Sequence, residues 1–152
     1  MRRRDFIAGL GSAAAWPVVA RAQQPDRVRR IGVLIGYDES DPEGKARLSG
    51  LTQGLTELGW TEGRNVRMEV RWSADNVDLT RAFAKELVDL QPDVIVAGNT
   101  PATAALQPET RMIPIVFAAV SDPVGEGFIA SISRPGGNIT GLAAKMHEAA
   151  RF

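Results

Sequence analysis

Apolar and polar positions along this chain follow two rhythms in turn. The run from Ile31 to Ile35 is continuous, rich in β-branched residues, and of a length that suits a buried strand. Leu48, Leu51, Leu55 and Leu58 then recur at helical spacing, which sets all four on one face of a helix that Gly59 is suited to stop. Val66, Met68, Val70 and Trp72 alternate with Arg67, Glu69 and Arg71, the period of a strand with one wet face, as at a sheet edge. A second helix is predicted over 77–90, burying Leu79, Phe83, Leu87 and Leu90, with Gln91-Pro92 as its end. "DVIVAGN" reads as a third strand. It leads into "TPATAAL", a helix start with Thr100 as cap and Pro101 at the first helical position. Pro108 limits that helix. "IPIVFAAV" reads as a fourth strand, Pro123 opens another short helix that Arg134-Pro135-Gly136-Gly137 closes, and "NITGL" supplies a fifth strand.

The order βαβαβαβαβ implies an α/β fold, a Rossmann-like doubly wound parallel sheet, because parallel strands need crossover connections and those are right-handed. Ligands of such sheets bind beyond the carboxyl ends of the strands, near the point where strand order reverses. Three corners there carry polar or aromatic groups: Gly36-Tyr37-Asp38, Gly98-Asn99-Thr100-Pro101 and Ser121-Asp122-Pro123. The Thr100-Pro101 and Asp122-Pro123 corners are also good helix starts, and the two roles are compatible. A capped helix start presents free N–H groups to an anion, so a carboxylate could sit on the amides after Thr100. Asp122 could take an ammonium, and Tyr37 could stack on an apolar or aromatic part.

Composition narrows the chemistry. The chain has no Cys and one His, His147, which removes thiolate catalysis and leaves almost no room for a metal cluster or a Ser-His-Asp triad. Ser121 has no neighbouring His or Lys to act as its base, so no catalytic residue and no cofactor are expected. "GLGSAA" at 9–14 fits a dinucleotide pattern, but no strand precedes it. Gly136-Gly137 follows a helix instead of opening one, which makes it a turn.

The first 22 residues, "MRRRDFIAGLGSAAAWPVVARA", have a basic start, a modestly apolar middle and a small-residue end, the layout of an export signal cut between Ala22 and Gln23. Arg3-Arg4-Asp5-Phe6-Ile7 resembles a twin-arginine signal. The whole chain has a formal net charge of zero; without that segment, which holds four Arg and one Asp, it keeps 14 basic and 17 acidic residues. No basic block remains, which argues against nucleic acid, DNA included, as a partner.

The stretches "DVIVAGNTPATAAL" and "IPIVFAAVSDPVGEGFIASISRPGGNITGL" resemble the TrpX-like substrate-binding proteins of ABC transporters. So do "RRIGVLIG", "GLTELGW" and "EGRNVRMEVRW". The resemblance covers roughly residues 28–142 and implies the first lobe of a type I periplasmic-binding fold. It implies a small solute, an amino acid or relative, captured in the periplasm and passed to a membrane permease, with no chemistry performed. The matching ligand-binding positions are Tyr37, Asn99, Thr100, Ser121 and Asp122. After Leu142 the family continues into a second lobe, whereas this chain ends on "AAKMHEAARF". The expectation is therefore an export signal at 1–22, a flexible lead-in at 23–30, an N-terminal lobe at 31–142 and a truncated or aberrant tail at 143–152. Two alternatives stay open: an exported ligand-sensing domain of a signalling system, and an exported cofactor-binding enzyme fragment.

Overall fold

The computed structural model describes residues 27–143. The export signal, its cut between Ala22 and Gln23, His147 and all of the expected tail except Ala143 lie outside the described residues. Among the described residues strands and helices alternate as far as β4, which β5 follows without a helix between: β1 (Arg29–Ile35), α1 (Pro42–Glu57), β2 (Val66–Trp72), α2 (Val77–Asp89), β3 (Val94–Ala97), α3 (Thr100–Leu106), β4 (Ile115–Val120) and β5 (Ile139–Ala143). All neighbouring strands are parallel and the sheet order is β2-β1-β3-β4-β5. The chain thus builds outward from β1 to β2, then returns across to β3 and continues the other way. The reversal falls between β1 and β3.

Two hydrophobic clusters, one on each side, make this sheet doubly wound. On one side Ile31, Val33 and Ile35 of β1 and Val66 of β2 are buried, and Leu48, Leu51 and Leu55 of α1 pack on them. On the other, Leu34, Ile95, Ile115 and Phe117 meet Leu87 of α2 and Leu106 of α3. Burial of a large aliphatic side chain contributes about 1.5–3 kcal/mol, so these two layers outweigh any single polar contact at the rims. β2 is an edge strand, as its alternation predicts. Its polar side is tied down by charge pairs: Arg67 to Glu69 at 3.0 Å and Arg71 to Glu86 of α2 at 2.7 Å.

Four details differ from the pattern-based expectation. α1 ends at Glu57, so Leu58 is its C-cap and 78% exposed, outside the face its spacing suggested; Gly59 follows with φ +89°. In α2 Leu87 is buried and Phe83 and Leu90 pack against the core as expected, but Leu79 is 42% exposed, and Thr80, Ala84 and Val88 are buried as well. The buried Thr80 hydroxyl is satisfied by donating to the Asn76 carbonyl at 2.7 Å. The cap of α3 is Asn99, not Thr100: its Oδ1 accepts from the Ala102 N–H at 2.9 Å and its backbone is extended. Asn ranks at least level with Thr as a cap, and Pro101 tolerates the position one later.

The fourth difference is the largest. Pro123 opens no helix. The chain makes one turn, in which Glu126 N–H donates to the Asp122 carbonyl at 3.0 Å and Phe128 N–H to that of Pro123 at 3.0 Å. Gly125 and Gly127 are weak helix formers within so short a segment. Phe128 and Ile129 are buried against the core directly, without a helical face to carry them. β4 reaches β5 by this irregular path.

Candidate functional site

The carboxyl rim of the sheet is where the corners gather. In the parallel register Leu34 of β1 lies beside Ala97 of β3, so two residues further on Gly36 lies beside Asn99. The corner after β2 joins them. The buried Ser73 donates its N–H to the Ile35 carbonyl at 2.9 Å, Ala74 donates to Tyr37 O at 3.2 Å, and Asp75 donates to Gly36 O at 2.5 Å. To make these bonds Ala74 and Asp75 take φ of +47° and +52°. Left-handed backbone in consecutive non-glycine residues is unfavourable, and it persists here because three hydrogen bonds to the β1 corner over-determine it.

Between these corners, α2 and α3 leave a cleft of about 350 Å³, within the size range of small-molecule sites. Gly36 and Asn99 lie at its head, Val77, Pro101, Ala104 and Ala105 form apolar walls, and Asp75, Thr80 and Arg81 supply further polar groups. Gly36 is required by proximity. A side chain there would collide with the Asn99 amide, and its Cβ would stand 3.3 Å from Asp75 Oδ1. The missing side chain is what allows an amide and a carboxylate to converge on one spot. Among the described residues, Asp75 and Arg81 form no ion pair.

Of the five residues singled out from sequence, Asn99 alone lines this cleft. Tyr37 lies at the same rim on the α1 side, close to Gly44 and Trp72, with the Arg47 guanidinium 5.3 Å from its ring centre. Thr100 is the half-buried first residue of α3. Ser121 and Asp122 are exposed beyond β4, and Asp122 Oδ1 accepts from the Gly125 N–H at 2.8 Å, which holds the turn. At the β1 corner, the Ser40 hydroxyl and then the Ser40 N–H donate to Asp38, holding its carboxyl below the usual carboxylate range.

Sequence reasoning missed Asp75, Thr80 and Arg81. The same rule that singled out the corners after the first, third and fourth strands applies to the corner after the second, "SADN", which carries an acid and a helix cap. Among the described residues, no group of three His, Cys, Asp or Glu side chains is placed to ligate a metal.

A family model described as "ABC transporter substrate binding protein" matches residues 37–150, well over half of the chain. The chain belongs to this ABC transporter substrate-binding protein family. The family is one of solute-binding proteins and not an enzyme class. A relative named tyrosine-binding protein, from Clostridioides difficile, is 33% identical over 94 residues, which are 62% of this chain and 27% of that protein. Among solved structures, a conserved domain protein from Vibrio cholerae is 34% identical, with a TM-score of 0.72, over 77% of this chain and 39% of its own. The ABC domain in complex with L-Trp from Streptococcus pneumonia is 30% identical, with a TM-score of 0.70, over 76% of this chain and 38% of its own. The chain therefore spans well under half the length of these relatives, and its sheet matches one of their lobes.

Proposed function

We propose that this substrate-binding family member supplies one half of a solute site in the capture component of an ABC transporter. It works outside the cytoplasm after export by its twin-arginine-like leader and passes ligand to a membrane permease. The solute is an amino acid or a close relative. The observation that carries this reading is the cleft at the β1/β3 reversal, open at the carboxyl rim and lined by apolar walls with a few convergent polar groups. That is the position where doubly wound sheets take ligands. Tyr37, Asn99, Thr100, Ser121 and Asp122 stand along the same rim, Asp122 two strands from Gly36, or about 10 Å at ordinary strand spacing. A small solute can touch several of them at once. The tyrosine and L-Trp in the names of two relatives support an aromatic amino acid.

Thermal unfolding in the presence of each amino acid tests this. A ligand held at 100 times its dissociation constant stabilises by about 2.7 kcal/mol, so a true ligand raises the melting temperature in a concentration-dependent way. A flat response to every amino acid would remove that solute class.

A further inference from the structure

We infer that the cleft beside Gly36 recognises the zwitterionic head of an α-amino acid, with Asp75 taking the ammonium and Arg81 and the Asn99 amide taking the carboxylate. This rests on the reading of the rim as a solute site and deepens it by assigning the charges. It moves the ammonium away from Asp122, whose carboxylate is folded over its own turn onto the Gly125 N–H.

Four observations support the assignment. Asn99 uses Oδ1 to cap α3, so the amide is oriented: its acceptor is occupied and Nδ2 fills the space that a side chain at Gly36 would take, at the head of the cleft. Asp75 Oδ1 faces the same position from the opposite corner, and the carboxylate accepts no hydrogen bond among the described residues. Arg81 lines the same cleft one turn along α2 with no ion-pair partner among the described residues. Val77, Pro101, Ala104 and Ala105 are apolar, which suits the body of the ligand and not its head. An unpaired acid, an oriented amide donor and an unpaired guanidinium around one apolar cleft complement a zwitterion: the ammonium needs an acceptor-only partner, and a carboxylate is best met by planar donors.

The fold also protects the test. Asp75 has left-handed backbone, which Asn tolerates, so Asp75→Asn removes the charge without new strain. Asn99→Asp keeps a strong cap while replacing the donor by an acceptor. Arg81 is exposed on the helix surface, so Arg81→Gln leaves the core untouched.

The test is titration of the chain and these variants, observed by NMR, with L-tryptophan, tryptamine and indole-3-propionate. Asp75→Asn is expected to weaken L-tryptophan and tryptamine at least tenfold and to leave indole-3-propionate within about twofold, a difference of about 1.4 kcal/mol for the tenfold loss. Arg81→Gln and Asn99→Asp are expected to weaken L-tryptophan and indole-3-propionate and to spare tryptamine. Asp75→Asn binding L-tryptophan as the parent does, with Asp122→Asn losing it, would overturn the assignment while leaving the rim as the solute site. A parent chain that binds none of the three would overturn the aromatic amino-acid reading, and this inference with it.

Discussion

Asp93 shows how one side chain can anchor the far end of the sheet. It accepts from the Arg30 N–H at 2.8 Å and from the Arg27 guanidinium at 2.8 Å, with Arg29 at 3.5 Å. The Arg30 amide first, and the nearby Arg27 and Arg29 charges after it, hold the carboxyl below its ordinary range. A carboxyl whose folded pKa is depressed contributes stability above its unfolded value, near 3.9, and loses that contribution as pH falls through the folded value. The stability of the chain should therefore fall as pH drops below about 4, and Asp93→Asn should flatten that fall while lowering stability at pH 7 by about 1 kcal/mol. Urea unfolding at pH 7 and across the acid range checks both; an unchanged acid slope in the variant would remove Asp93 from the account. At the opposite rim Gly36 illustrates a limit of sequence reasoning. Its importance comes from a neighbour 63 positions away in the chain, Asn99, whose amide occupies the space of its absent side chain. No local pattern encodes that approach.

Among the elements, strands were more legible than helix faces. The first four strands declared themselves by short apolar runs or strict alternation, because a strand's burial is set by its two faces. Helix burial depends on which flank meets the sheet: in α2 Phe83, Leu87 and Leu90 reach the core, but at the first turn Thr80 faces inward and Leu79 outward. The segment after β4 misled for another reason: Asp122-Pro123 is a valid helix start, yet Gly125 and Gly127 follow within one turn and the buried Phe128 and Ile129 pull the chain into the core. β4 also hides an irregularity. Phe117 and Val120, three residues apart, join the same core cluster, which a strict two-residue period would put on opposite faces, and the pairing with β5 shifts register between them. Ala119 absorbs the mismatch with φ +54°. Left-handed backbone costs an L-residue roughly 1–2 kcal/mol, so Ala119→Gly should be stabilising or neutral. Ala119→Val, β-branched at a left-handed position, should destabilise by about 1–3 kcal/mol. Denaturant midpoints of the two variants test the bulge, and a valine variant as stable as the parent would contradict it.

For the molecule as a whole, the doubly wound sheet was readable from the alternation of elements, and the family from the motifs at its corners. The composition of the cleft was not, because it joins three corners and two helices that only the sheet order β2-β1-β3-β4-β5 brings together. Asp75 and Arg81 carry no motif; they matter through their place beside Asn99. The same order separates the cleft from a wider hollow of about 960 Å³ that lies beside Gln107, Gly127 and Asn138. The two regions make opposite forecasts for where a solute acts. Titrating isotope-labelled chain with L-tryptophan and following the backbone amide signals distinguishes them directly. Saturable shifts centred on Gly36, Asp75 and Asn99 to Ala102 are the predicted result; shifts centred on Gln107, Gly127 and Asn138, or none at saturating ligand, would contradict the rim as the solute site.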